Sequence, residues 1–258
     1  MSLKEFSLDY FALTDKVAIV TGGNTGLGQG YAVALAKAGS DIFIASYDTN
    51  WDETRELIEE TGRKVHFLQA DLTQKGAVKQ IVEECLTVFG KIDILVNNAG
   101  TIRRAPLLEY KEEDWNAVMD INLNAVYFLS QEVARVMVEQ GSGKIINIGS
   151  MLSFQGGKFI PPYTASKHGV AGITKAFANE IGQYNVQINA IAPGYIATAN
   201  TAPIRADEAR NAEILSRIPA GRWAAPSDLM GVVVFLASKA SDYMNGHILA
   251  VDGGWLAR

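Results

Sequence analysis

Seven short, nearly unbroken apolar runs rich in β-branched residues recur along this chain, at 17–21, 41–46, 65–69, 92–97, 144–149, 186–192 and 247–251. A strand with one wet face alternates apolar and polar residues, whereas a strand covered on both faces need not. Between the runs lie stretches with helical spacing near residues 26–38, 51–61, 75–89, 113–139, 162–183 and 227–238. In the fifth of these, Val170, Ile173, Phe177 and Ile181 give the helix one buried side. Parallel strands need crossover connections, so this alternation predicts an α/β fold: a doubly wound parallel sheet of about seven strands with helices on both faces. No linker, repeat or low-complexity run divides the 258 residues, which predicts one domain over 1–258 with 1–14 as an N-terminal extension.

The first strand runs into TGGNTGLG, with Gly22, Gly26 and Gly28 where strand becomes helix and Asn24, Thr25 and Leu27 completing the turn. Glycine there permits a tight turn and lets backbone N–H groups approach a pyrophosphate at a positive helix end. The spacing is G-x-x-x-G-x-G, and its strand-to-helix context makes it a Rossmann-type dinucleotide turn. Asp48, just past the second strand, can accept hydrogen bonds from a ribose 2′-hydroxyl. Lys37 is the only basic residue from Thr21 to Asp48 and belongs to the helix, which favours NAD over NADP. A solvated loop acid is the plainer reading of Asp48. Asp71 and Leu72 close the third strand, where they either flank an adenine or, for Asp71, cap the next helix. The fourth strand ends in NNAG, placing Asn98, Ala99 and Gly100 at the carboxyl edge of the sheet. Arg103 and Arg104 follow, as a solvated pair or as cations over the crevice.

Tyr163 and Lys167 stand four residues apart just after Pro161 and Pro162, a pair suited to a helix start, so they share one helix face. Bringing a tyrosine from a pKa of about 10 to near neutrality takes roughly 4 kcal/mol. A cation about 4 Å away at an effective dielectric of about 20 supplies that much. Lys167 is therefore expected to make Tyr163 a general acid/base, unless the two are a plain surface pair. Ser150 offers a hydroxyl at the end of the fifth strand, and Asn122 sits in the otherwise core-like DINLNAVYF as a functional, helix-bending or packing amide.

A formal charge of −5 gives no basic field to recruit nucleic acid or an anionic membrane. Cys85 is the single cysteine, which excludes an internal disulfide framework and fits a reducing cytoplasm. MSLKEFSLDYFALTDK contains no apolar run of signal-peptide length, and no stretch is long enough to span a bilayer. His66, His168 and His247 are scattered, so no metal site is expected.

Taken in order, TGGNTGLG, NNAG, Asn122, the Ser150 that ends INIGS, and Tyr163 with Lys167 resemble the short-chain dehydrogenase/reductase family. APG at 192–194, Ile196, Thr198 and VDGG at 251–254 extend the resemblance from about residue 15 to the C-terminus. The segments NNAGTIRR, SMLSFQGG, APGYIAT, RIPAGRW and DGGWLAR are similar to those of its sugar-acid branch, the 2-dehydro-3-deoxy-gluconate 5-dehydrogenases of uronate catabolism, also described as 2-deoxy-gluconate 3-dehydrogenases. The resemblance implies that Tyr163 exchanges a proton with the substrate oxygen, Ser150 hydrogen-bonds that oxygen, and Lys167 lowers the phenol pKa and holds the nicotinamide ribose. Asn122 would hold a relay water, and Pro193, Ile196 and Thr198 would line the nicotinamide. From their place on the loop after NNAG, beside Ser150, Arg103 or Arg104 is expected to bind a carboxylate of the substrate, Arg104 being the choice. Many NAD-using members carry Asp at the position of Ser46, a departure that leaves the coenzyme less fixed than the reaction. The resemblance also implies a homotetramer built on the helices near 113–139 and 162–183, with Gly169, Gly172 and Ala176 allowing close contact. The segment between residues 199 and 217 reads either as a substrate lid or, from its polar mixture, as an ordinary surface helix. The rivals are gluconate 5-dehydrogenase or another polyol dehydrogenase, a 3-oxoacyl-carrier reductase, and a non-catalytic nucleotide sensor.

Overall fold

The structure, a computed structural model, describes residues 7–258; the first six residues of the expected N-terminal extension lie outside the described residues. All seven strands pair in parallel in the order β3-β2-β1-β4-β5-β6-β7. They are β1 (Val17–Thr21), β2 (Asp41–Ser46), β3 (Val65–Gln69), β4 (Ile94–Asn97), β5 (Gly143–Ile148), β6 (Val186–Pro193) and β7 (Ile248–Val251). Successive side chains of a strand point to opposite faces, and here both faces are apolar. Ala18, Val20, Ile42 and Ile44 pack into one core with α1 (Gly26–Lys37) and α9 (Met230–Ala237). Val17, Ile19, Phe43 and Ala45 pack into a second with α3 (Ala77–Phe89) and α5 (Ala125–Gln140). This two-sided burial is why the central strands read as continuous apolar runs.

The remaining helices are α2 (Asp52–Glu59), α4 (Glu112–Met119), α6 (Pro161–Ile181), α7 (Ala202–Ala206) and α8 (Glu208–Arg217). The single helix expected over 113–139 is in fact α4 and α5 joined by a π turn, Asp120–Asn124, with Asn122 buried inside it. The N-terminal stretch is partly integrated: Leu13 is buried and its N–H donates to the Ala38 carbonyl at 2.7 Å. A Cβ on Gly169 would meet Leu123 at 2.7 Å, so within the chain this glycine lets α6 approach the π turn.

β1 lies between β2 and β4, so the connections leaving its two sides diverge there and open a crevice at the carboxyl ends of the strands. The glycine turn, Asp48, Asp71, NNAG, the two arginines, Ser150, Tyr163, Lys167 and the segment after β6 all face that crevice, whereas Asn122 and the closing VDGG do not.

Candidate active site

The crevice encloses about 930 Å³. Its floor is two turns stitched together. The Thr21 hydroxyl accepts the N–H groups of Asn98 and Ala99, each at 3.0 Å, while the Asn98 amide donates to the carbonyls of Thr21 and Gly22 at 3.0 and 3.1 Å. Gly28 lies so close above that a Cβ would sit 2.1 Å from the Gly22 carbonyl oxygen, and Gly26 takes a left-handed φ of 58°. Only a glycine turn lets α1 start this near the strand ends, leaving its N-terminus open to an anionic group. The cradle thus fits a dinucleotide pyrophosphate on its own geometry.

Toward β2, Asp48 lines the crevice. The Ser46 hydroxyl is occupied, donating to the Asp48 carbonyl at 2.7 Å and accepting from Trp51 Nε1 at 2.8 Å. Asp71 also lines the crevice, and it caps a turn through the Thr73 N–H at 3.0 Å and hydroxyl at 2.7 Å. Those bonds hold its carboxyl below the usual range; Asp71 closes this turn and does not cap α3, whose N-cap is Gly76. Among the described residues the cations lining the crevice are Arg103, Arg104 and Lys167, and none belongs to the β2 or β3 end.

At the other end, β5 delivers Ser150 and α6 delivers Tyr163 and Lys167. Ser153 ties these elements together: its hydroxyl accepts the Ser150 N–H at 3.2 Å and donates to the Lys167 carbonyl at 2.8 Å. Sequence reasoning passed over Ser153, although the S-x-x-S spacing from Ser150 is a cap signature. The Ser150 hydroxyl hydrogen-bonds the Tyr163 phenol and also accepts the Leu152 N–H at 3.1 Å. Burial holds the Tyr163 phenol above its ordinary value, while the Ser150 hydrogen bond and the charge of Arg104 pull it down.

The Lys167 ammonium donates to the Ile148 carbonyl at 2.6 Å, lies 5.5 Å from the centre of the Tyr163 ring, and is pushed down to about 8 by burial. The charge of Arg104 also bears on the phenol.

Asn122 is engaged by the loop after β4. Its Oδ1 accepts the Thr101 N–H at 2.8 Å, and its Nδ2 donates to the Thr101 carbonyl at 2.9 Å and to the Ser166 hydroxyl at 3.4 Å. The amide therefore fixes that loop against α6, and it does not line the crevice. Of the two arginines, Arg103 is held by Asp114 at 3.6 Å and the Thr101 hydroxyl at 3.1 Å. Arg104 has no hydrogen-bond or ion-pair partner among the described residues and faces the crevice near the phenol. Pro193, Ile196 and Thr198 line the same end.

A dinucleotide cradle that ends at a hydroxyl and a phenol joined by a hydrogen bond defines the protein as a dehydrogenase. The chain belongs to the short-chain dehydrogenase/reductase family, whose members work with a nicotinamide cofactor. The family model described as enoyl-(acyl carrier protein) reductase matches residues 22–256. The chain is 56% identical over 252 residues to the 2-dehydro-3-deoxy-D-gluconate 5-dehydrogenase of Escherichia coli (strain K12), across 97% of this chain and 99% of that one. It is 52% identical over 257 residues to the uncharacterized oxidoreductase YgcW of the same organism, covering 100% and 98%. A solved Agrobacterium tumefaciens structure with bound NADP, provisionally named a 2-deoxy-D-gluconate 3-dehydrogenase, superposes with a TM-score of 0.90 at 50% identity, over 96% of this chain and 99% of that one. Among the described residues no helix is long and apolar enough to cross a membrane.

Proposed function

We propose that this chain is a catalytic domain that interconverts a keto-deoxy sugar acid of the 2,5-diketo-3-deoxygluconate type and its hydroxy form, using NAD(H), in the breakdown of uronates. The observation that carries the reading is Arg104, an unpartnered cation in the crevice beside the Tyr163 phenol. A carboxylate several atoms from the reacting carbon can meet such a guanidinium through two parallel hydrogen bonds, which sets the carbonyl that faces Ser150 and Tyr163. The bound nicotinamide supplies or takes up the hydride. The chain supplies the proton: the phenol of Tyr163 gives it to the carbonyl oxygen on reduction and recovers it on oxidation, while Ser150 holds that oxygen by a hydrogen bond. Ser153 keeps the serine and the tyrosine helix in register. The relative named 2-dehydro-3-deoxy-D-gluconate 5-dehydrogenase supports the substrate class.

NAD is favoured because the β2 end offers Asp48 and no cation to a 2′-phosphate. The Agrobacterium relative binds NADP, so the coenzyme is the point to test. The same reading makes the protein a cytoplasmic homotetramer acting on a small molecule, without nucleic acid, membrane or metal.

The test is a panel followed by cofactor absorbance, with NADH and NADPH each offered a keto-deoxy uronate derivative, 5-ketogluconate, a neutral ketose and an acyl thioester. The expected result is preference for the keto-deoxy acid and for NADH by more than about tenfold in kcat/KM, or about 1.4 kcal/mol. Arg104→Ala should lower kcat/KM for the acid by roughly 10 to 100 fold, as for a charged hydrogen bond of about 1.5 to 3 kcal/mol, and spare the neutral ketose. Equal efficiency with NADPH sinks the coenzyme assignment. Equal losses on acid and neutral substrates sink Arg104. Activity on the acyl thioester alone identifies a carrier-protein reductase.

A further inference from the structure

Among the described residues, three other than glycine have a left-handed backbone: Asp15, Asn185 and Phe159. Aspartate and asparagine visit this region readily through local hydrogen bonding, whereas a bulky aromatic residue does so only where its surroundings impose it. Phe159, at φ 67°, occupies the second position of a turn over Lys158–Phe159, where glycine or asparagine is the ordinary choice. Its ring gains little in return, being 57% exposed. The strain is therefore not offset by burial of the side chain.

Its carbonyl does have a partner. The Ala105 N–H donates to the Phe159 oxygen at 3.1 Å, joining the loop after β4 to the segment that enters α6. Ala105 immediately follows Arg104, and Tyr163 is the third residue of α6. The β4 loop is pinned at three points. Thr101 is held by Asn122, the Arg103 carbonyl accepts from the Tyr110 hydroxyl at 2.8 Å, and Ala105 is held by Phe159. Arg104 stands between the last two pins, and only the Phe159 pin reaches the stretch that leads directly into Tyr163. The segment before the pin is closely packed: a Cβ on Gly157 would meet Ile160 at 2.8 Å and Leu152 at 3.1 Å. A shift in the turn would thus be felt on both sides.

We propose that Phe159 is a positioning residue whose left-handed backbone, not its ring, aims a carbonyl at Ala105 and so sets the reach between Arg104 and Tyr163 that selects substrates bearing a carboxylate. This rests on the reading that Arg104 takes the substrate carboxylate.

The test compares Phe159→Gly, Phe159→Asn and Phe159→Val, with Arg104→Ala as reference, on the keto-acid and on a neutral ketose, recording kcat, KM and thermal melting. Glycine and asparagine keep the backbone and lose the ring, so both should hold kcat/KM for the acid within roughly threefold of wild type. Valine resists positive φ and should lose roughly tenfold or more on the acid, mainly in KM, with little change on the ketose. If the valine protein does not fold, Phe159→Thr applies a similar β-branched backbone penalty with a less apolar side chain. Losses in the glycine and asparagine proteins as large as in valine would assign the role to the ring and overturn the proposal. A valine defect equal on both substrates would overturn it as well. If Arg104→Ala itself fails to separate acid from ketose, the carboxylate reading falls and the Phe159 proposal falls with it. If Arg104→Ala separates them and the Phe159 series does not follow backbone preference, only the latter fails.

Discussion

Tyr163 is held between opposing influences, with burial keeping its proton on and Ser150 and Arg104 easing it off. Ketone reduction uses the protonated phenol and oxidation uses the phenolate, so a raised pKa sustains reduction through neutral pH and makes oxidation climb as pH rises. Arg104→Ala removes an influence that lowers the pKa, so the falling limb of reduction and the rising limb of oxidation should both move to higher pH. Measuring kcat/KM on a neutral substrate keeps the carboxylate contact out of the comparison. A limb that stays in place, or moves down, would show that Arg104 does not act on the phenol. Tyr163→Phe deletes the transferable proton and keeps the ring, so turnover should fall by about 10² to 10⁴. NADH binding, followed by fluorescence, should survive that change. A phenylalanine enzyme within a few-fold of wild type would place the proton donor elsewhere.

The elements differ in how plainly they are written in the chain. The seven strands sit within two residues of where the apolar runs predict them, because burial on both faces leaves an unbroken signature. The crevice residues follow from strand ends, which is why the glycine turn, NNAG, Ser150 and Tyr163 are legible in advance. The π turn at Asp120–Asn124 is not legible: one inserted residue leaves apolar residues on both sides, and the buried amide of Asn122 is the sole trace. The Phe159 pin is equally silent, since it joins backbone to backbone. The segment 199–217, read as a lid or a surface helix, is helical over α7 and α8, begins at the crevice wall with Ala199, Asn200 and Thr201, and rests on an aromatic cluster. Tyr195 meets Trp223 and Trp255 edge-on at 5.1 and 4.9 Å, and Arg217 lies 3.9 Å over Trp255. Trp223 Nε1 donates to Asn211 Oδ1 on α8 at 2.7 Å. Trp223→Phe removes that bond and keeps an aromatic ring, so local opening of α8 should become about fivefold easier, for roughly 1 kcal/mol. Limited proteolysis within 199–217 should speed up accordingly while the global melting temperature scarcely moves. Unchanged cleavage would mean that the cluster alone holds the helix.

At the scale of the whole molecule, the crevice and the outer helix faces are chemically distinct. The crevice is lined by the cations Arg103, Arg104 and Lys167 and by Asp48 and Asp71 at the β2 and β3 ends, with a third acid, Asp120, contributed by the π turn between α4 and α5. Outside it, α4 and α5 leave Trp115, Tyr127 and Phe128 exposed, Phe128 by 53%. On α6, His168, Gly172 and Ala176 are exposed at intervals of four residues, and a Cβ on Gly172 would meet nothing within 4 Å. An aromatic surface beside a smooth helix stripe is what the proposed tetramer needs, since burying one phenylalanine is worth roughly 1.5 to 3 kcal/mol. A carboxylate placed there would have to be buried without a partner on association, at a cost larger than that gain. Phe128→Glu and Gly172→Glu should therefore each convert a four-chain particle to a smaller one by light scattering, with a lower melting temperature that depends less on protein concentration than that of the tetramer. The folded chain should remain, because neither position contributes to the two cores. A wild-type protein that already runs as a single chain would overturn the tetramer, and tetramers that persist in both variants would move its interface off these helices.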